Sequence, residues 1–306
     1  MTVIMGILEE GLIYAVMALG VYITYKILDF PDLSVDSTFP LGAALTASAI
    51  LAGVSPALTL ILSFLAGALA GCVTGFIHVK LKVRDLLSGI IVMTGLYSLN
   101  LRIAGGRANV PIFTQETIFE NPFLAEHVPA PLSPYVIVLI LFLITLACKV
   151  LLDLYLNTRS GYLLRAVGDN EALVTSLAKD KGMVKIIGLA LANGFTALAG
   201  SVYCQHKGFF EISVGTGTMV IGLASVIMGI QLLTPETGTS PFSSVFKKEL
   251  RPTTAVIAGS VLYKACISAA ISLGLEANDL KLITSILFLI ILVVSTERRK
   301  KVKTHA

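Results

Sequence analysis

Two stretches, "DLSVDSTFPLG" at Asp32–Gly42 and "EISVGTGTMVIG" at Glu211–Gly222, place the pattern acid, aliphatic, serine, valine in front of an apolar run. Each stretch follows a long apolar segment and precedes a short one. Polar side chains in this position satisfy the free amide groups at a helix start, which an apolar solvent cannot satisfy. The two stretches therefore indicate two helices that begin in apolar surroundings.

Composition identifies those surroundings as a lipid bilayer. Of the 306 residues, 55% are hydrophobic and 14% are charged, and the mean hydropathy is +0.86. A soluble domain carries about 25% charged residues. A chain of this size has too little polar surface to cover its apolar residues in water, so we predict an all-α polytopic membrane protein with one domain, residues 1–306.

Nine apolar windows approach the length of a spanning helix, which needs about 20 residues. The predicted spans are 4–28, 38–54, 56–79, 86–104, 134–156, 184–206, 218–233, 253–274 and 279–296. The second and seventh are short.

The distribution of Lys and Arg predicts how the spans are oriented. If the basic tail 297–306 is cytoplasmic, nine spans leave the N-terminus outside and most of the 23 basic residues inside. This bias follows the positive-inside rule. We therefore predict a multi-pass membrane protein with its N-terminus outside and its C-terminus in the cytoplasm.

The two opening stretches also predict an internal repeat. Asp32 and Ser34 align with Glu211 and Ser213, which relates the halves 4–104 and 184–296. The predicted orientation puts the first stretch near the cytoplasmic face and the second near the outer face, as in transporters with inverted-topology repeats. The alternative is a chance recurrence, in which the acids and hydroxyls act only as helix caps.

A polar loop at 158–182, "TRSGYLLRAVGDNEALVTSLAKDKG", joins spans five and six. We predict a helix that begins at Asp169 or Asn170 and closes at Gly182, with tight turns at Gly161 and Gly168 before it. Its apolar side suits two positions: flat on the membrane surface, or docked in the groove of a partner.

This loop carries a family resemblance. The run "GYLLRAVGDNEA" at 161–172 resembles the coupling loop of ABC-importer permeases of the branched-chain amino-acid and ribose type, and "DLSV" resembles the ribose-type members. The run "GIIVMTGLYSLNLRIAGG" at 89–106 resembles a subgroup tied to tryptophan or tyrosine uptake. The resemblance covers nearly the whole chain.

The resemblance implies a type II importer-like fold and a set of partners. The permease would form a homodimer, bind two ABC ATPase subunits inside, and receive a small solute, here an amino acid, from an extracytoplasmic substrate-binding protein. Carried over to this sequence, the coupling helix covers about 170–178. The residues assigned to ATPase coupling are Gly161, Arg165, Gly168, Asn170, Glu171 and Leu173.

Catalytic motifs are absent from the sequence. It contains no GxxxxGK[ST] loop, so ATP and Mg²⁺ are expected to bind to the partner ATPase, with no cofactor or metal in this chain. We therefore predict a transport subunit and not an enzyme. Most of the basic residues lie in loops and the tail and do not indicate nucleic-acid binding. The alternative function is an ion-coupled secondary transporter, for which Lys264 and His78 are the mid-span ionisable candidates.

The resemblance also places the solute passage on the dimer axis. We predict that spans four and nine line it, with Thr94 and Ser98 on the first and Thr284 and Ser285 on the second. The lining would be mostly apolar, with scattered hydroxyls that let a solute pass without holding it.

Two polar segments remain. The loop 104–133 contains Glu116, Glu120 and Glu126, and it serves either to dock the binding protein or as a simple connector. The insertion 234–252 is interpreted as a short interfacial helix that contacts the ATPase or only lipid.

Overall fold

The structure, a computed structural model, describes residues 2–129, 132–169, 180–233, 251–272, 282, 284–290 and 292–293. Most of these residues are helical. The elements in chain order are α1 (Thr2–Val21), a π-helical segment (Tyr22–Ile27), α2 (Val35–Leu51), α3 (Pro56–Lys80), α4 (Asp85–Ile103), β1 (Asn109–Pro111), α5 (Pro122–His127), α6 (Ser133–Leu156), α7 (Arg159–Asp169), α8 (Lys181–Lys207), β2 (Phe209–Glu211), a 3₁₀ helix (Ile212–Gly215), α9 (Thr218–Leu233) and α10 (Pro252–Ser272).

The prediction of a polytopic helical membrane protein is confirmed. Among the described residues, seven helices are long and apolar enough to cross a bilayer, and α2 is a shorter apolar helix. The first eight predicted spans agree with these helices to within a few residues at most ends. The prediction of nine spans is not confirmed, because most of the ninth window lies outside the described residues.

Helix α8 lies at the centre of the bundle, with α1, α2 and α3 packed around it. Small residues permit the close approach. A Cβ added at Gly71 of α3 would lie 2.8 Å from the Cα of Ala190, and one added at Gly42 of α2 would meet the backbone of Ala197. In lipid, helix association depends on such contacts, because burial of apolar surface provides little driving force there.

The bundle has two distinct ends. At the end that we call the sheet end, β1 pairs with β2 in antiparallel register, Val110 opposite Phe210. Here α8 stops at Gly208, which adopts a left-handed conformation with φ of 76°. At the opposite end, called the basic end, α7 and the start of α8 lie near the exposed Lys80, Lys82 and Arg84.

The chain between α1 and α2 is less regular than the sequence suggested. The window 4–28 was expected to be one helix, but its last turn is π-helical, and the amide of Leu28 donates to Ile23 O over 2.9 Å. Residues 28–34 are then mostly non-helical and lead back into the bundle. A π-helix has more residues per turn than an α-helix, so the chain that follows α1 continues in a different direction from the α1 axis.

Candidate functional site

Helices α2 and α9 begin next to each other inside the bundle. Asp36, in the first turn of α2, accepts hydrogen bonds from the amide of Met219 at 2.7 Å and the amide of Gly217 at 3.1 Å. The Thr218 hydroxyl donates to the same carboxylate over 3.1 Å. Asp36 therefore caps the start of α9 across 181 residues of sequence. The sequence predicted this role for an acid but not its partner.

The depth of this junction follows from the packing of α2 on α8. Gly215, just before α9, packs against the backbone of Asp36 and the ring of Pro40, and the neighbouring Phe39 packs against Gly200 of α8. Gly200 lies seven residues before the end of α8 at Lys207, which corresponds to about 10 Å along the helix axis. The two helix starts therefore lie well below the sheet end.

The first repeat stretch forms a buried polar cluster. The hydroxyl of Ser34 lies 2.6 Å from Asp32 Oδ1 and 3.1 Å from Asn193 Oδ1, and Asn193 Nδ2 donates to Asp32 Oδ2 over 2.7 Å. The amide of Ser34 donates to Asp32 Oδ1 over 2.9 Å. All three side chains are completely buried. The cluster joins the start of α2 to the middle of α8.

The second repeat stretch has the same serine-to-acid hydrogen bond, but at a more exposed position. Ser213 Oγ donates to Glu211 Oε1, as Ser34 donates to Asp32. Ser213 is exposed, however, and Glu211 is half-buried, whereas the first pair is buried. The assignment of these four residues to a repeat stays a prediction.

The expected turns before the coupling helix are wrong. Gly161 and Gly168 both lie inside α7, which ends at Asp169, and the predicted coupling helix at 170–178 lies outside the described residues. A Cβ at Gly161 would meet Leu156, and one at Gly168 would meet the carbonyl oxygen of Ile27. These glycines serve close packing against α6 and the π-helical segment. Gly182 does not close a helix either, because it lies in the first turn of α8, where its amide donates to Asp180 Oδ1 over 2.9 Å.

Arg165 lies on the exposed side of α7. Its Nη2 donates to Leu156 O, at the end of α6, over 3.1 Å, and its guanidinium carbon lies 5.6 Å from the centre of the Tyr162 ring. Asn170, Glu171 and Leu173 lie outside the described residues. The role of this region in coupling stays a prediction.

The predicted passage residues lie on two separate elements. Thr94 and Ser98 are exposed on α4, and the Thr94 hydroxyl donates to Ile90 O over 2.9 Å. Thr284 is half-buried and Ser285 exposed in the helical residues 284–290. Their role in lining a passage stays a prediction.

A cluster of charges near the sheet end was not predicted from the sequence. Glu10 of α1 accepts from Lys207 over 2.8 Å and from Lys264 over 3.1 Å, and the Lys264 ammonium lies 3.9 Å from the centre of the Tyr14 ring. The mid-span lysine is therefore paired with a carboxylate, which compensates its burial. Opposite charges at Glu10 and Lys264 within two predicted spans, and at Lys207 directly after a third, were the available signal.

The three glutamates of the loop 104–133 lie near the sheet end. Glu116, Glu120 and Glu126 are all exposed. The first two border a cleft of about 700 Å³, whose walls include Phe119 and Leu124.

The fold and the junction define a class of protein: a polytopic helical membrane protein with a helix start inside the bundle, as is typical of transporters. The chain belongs to the family described as the permease component of branched-chain amino acid transport systems, whose model matches residues 3–296.

Similar proteins agree with this family. A tyrosine transport system permease protein of Clostridioides difficile is 43% identical over 308 residues, covering 100% of this chain and 96% of that protein. An uncharacterized protein of Rickettsia prowazekii is 31% identical over 95% of this chain and 96% of its own length. The ribose import permease protein of Escherichia coli K12 is 27% identical over 73% of this chain and 68% of its own length. No solved structure matches the chain.

Proposed function

We propose that this chain is the membrane subunit of an ATP-driven importer for an amino acid, with tyrosine the first candidate. The observation that carries the proposal is the 43% identity to a tyrosine transport permease over the full length of this chain. The partner ATPase binds ATP and Mg²⁺, and this chain provides the passage.

The basic end faces the cytoplasm in this proposal. Exposed Lys and Arg gather there, as the positive-inside rule requires. The N-terminus of α1 lies near the opposite end, where Glu10 meets Lys207, and is therefore outside. The C-terminus is cytoplasmic. The membrane is the bacterial plasma membrane.

Two ATPase subunits bind at the basic end of a permease homodimer. Helix α7 supports this position, because its buried side is fixed by Gly161 and Gly168. The exposed residues Tyr162, Arg165 and Asp169 share its other face, three or four residues apart. The binding protein docks at the sheet end, near the exposed glutamates of the outer loop.

The test is uptake of radiolabelled tyrosine into proteoliposomes that contain the full chain, its partner ATPase and its binding protein. We expect uptake that requires ATP and the binding protein and is blocked by vanadate. Uptake that is insensitive to vanadate but abolished by an ionophore would contradict the proposal and support an ion-coupled carrier.

A matched pair of variants tests the coupling loop in the same vesicles. L173P would break the helix that the family resemblance predicts at this position, whereas L173A would preserve its helix propensity. We expect L173P to lose ATPase retention or ATP-driven uptake and L173A to keep both. If L173P matches the unmodified protein, the loop is not a coupling element.

A further inference from the structure

The segment between β2 and α9 descends into the bundle with one side sealed and one side open. On the sealed side, Gly215 packs against Asp36 and Pro40, and Thr218 is buried. On the open side, Ser213 and Thr216 are exposed. The backbone of this segment is not α-helical, because a 3₁₀ helix ends at Gly215 and Gly217 follows with φ of 86°. A Cβ added at Gly217 would point into open space among the described residues.

Lipid is an unsuitable neighbour for this open side. Hydrocarbon cannot hydrogen-bond to irregular backbone or hydroxyl groups, so such segments occur at membrane depth only against protein or a water-filled cavity. The segment reaches at least about 10 Å below the sheet end, by the helical rise of α8 between Gly200 and Lys207. Thr216, which follows Gly215, lies near this depth, so its exposed hydroxyl requires water or a protein surface, whereas Ser213 lies closer to β2 at the sheet end.

The carboxyl group of Asp36, next to this segment, indicates that water and not protein covers the open side. Asp36 is only half-buried, and the structure describes no Lys or Arg within salt-bridge distance of it. Its described partners are two amides and a hydroxyl. A carboxyl group at membrane depth is least costly where water reaches its open side.

We propose that the segment Ile212–Gly217 forms part of the wall of a water-filled solute passage, with the Ser213 and Thr216 hydroxyls facing the solute. This inference rests on the proposed transport function and adds residues on a different element from Thr94 and Ser98.

The wall also restricts how a solute is recognised. Helix N-termini attract anionic groups, but Asp36 already accepts from the amides of Gly217 and Met219. The carboxylate of an amino acid cannot occupy that position while Asp36 remains there. The segment then offers the solute the Thr216 hydroxyl and the Ser213 hydroxyl, which already donates to Glu211 Oε1, and these suit weak contacts with a small zwitterion.

Cysteine labelling tests this wall. Ser213 and Thr216 are replaced one at a time by Cys in a full chain in which Cys72, Cys148, Cys204 and Cys266 are Ser or Ala. The chain is assembled with its ATPase in proteoliposomes and treated with a charged, membrane-impermeant methanethiosulfonate. F113C, exposed at the sheet end, is the water-exposed control, and L69C, exposed on the apolar surface of α3, is the lipid-exposed control.

We expect S213C and T216C to react within about tenfold of the rate of F113C, because the reagent attacks the thiolate and the thiolate forms only in water. L69C should stay unlabelled. If S213C and T216C are as inert as L69C, the proposal is wrong. Oxidative cross-linking of S213C between two copies, with no labelling by the reagent, would also overturn it and assign the segment to a contact between copies.

Labelling is measured without nucleotide or transport, so it is independent of the proposed function. Positive labelling in a protein that shows no ATP-driven uptake would contradict ATP coupling but keep the water-filled wall. Inert cysteines in a protein with ATP-driven uptake would contradict the wall alone.

Discussion

At the residue scale, Asp36 makes a contact between two helices that lie far apart in the sequence. It belongs to the first turn of α2, yet its carboxylate serves the amides at the start of α9. The sequence predicted that acids here would satisfy free amide groups. It could not supply the partner, because a capping pattern is recognised only when cap and helix are close in sequence.

Replacing Asp36 should destabilise the protein through α9. D36A leaves the amides of Gly217 and Met219 without their acceptor, at a cost of about 0.5–2 kcal/mol, as for the loss of a helix cap. D36N keeps one acceptor oxygen and should lose less. The measurement is the midpoint of thermal unfolding in detergent, followed by size-exclusion chromatography.

The control is E116A, which removes an exposed carboxylate at the sheet end and should leave the midpoint unchanged. Equal midpoints for D36A and E116A would show that the Asp36 cap contributes nothing to stability.

At the element scale, α7 shows where sequence patterns mislead. Two glycines and a polar composition favoured turns, but the segment is an 11-residue helix. Glycine disfavours a helix by about 1 kcal/mol relative to alanine. Here it permits α7 to contact α6 and the π-helical segment, and that packing depends on distant residues.

Two Gly-to-Ala changes, one in the packed helix α7 and one on an open face of α4, should have opposite effects on stability. In G168A, the new methyl group would meet the carbonyl oxygen of Ile27, and such overpacking costs about 1–3 kcal/mol. In G95A on α4, nothing described lies within 4 Å of the new methyl group, and the higher helix propensity should stabilise by about 1 kcal/mol. Thermal midpoints of both variants check this, and a G168A midpoint at or above that of G95A would refute the role given to Gly168.

The long spans were the most predictable elements. Their ends agree closely with the hydropathy windows, because lipid imposes one strong requirement on each of them. The π-helical turn and the three-residue strands β1 and β2 escaped prediction, since each depends on contacts that no short window contains.

At the scale of the whole molecule, the two ends differ in the charged residues that they expose. The sheet end exposes Glu116, Glu120 and Glu126, whereas the basic end exposes Lys80, Lys82 and Arg84. The sequence predicted this asymmetry from the positions of the spans. It could not predict that Glu10, Lys207 and Lys264 would pair, because they lie on three different helices.

The acids of the sheet end should affect association with the binding protein. The triple variant E116Q/E120Q/E126Q should weaken that affinity by about tenfold at low salt, with little difference at high salt, because exposed charges act through screened attraction. Surface plasmon resonance at two salt concentrations measures both values. The control K80Q/K82Q/R84Q, at the opposite end, should leave the affinity unchanged, and an unchanged affinity in the glutamate variant would exclude these acids as docking charges.

The cap that Asp36 provides for α9 has a consequence for biogenesis. Ribosomes add about 5–20 residues per second, so the 181 residues between Asp36 and Gly217 take about 10–40 s to synthesise. The acceptor is therefore made, and α2 is available for insertion, well before the helix that needs it. A circular permutant that placed α9 ahead of α2 would deliver those amides to the membrane first, with no carboxylate to receive them.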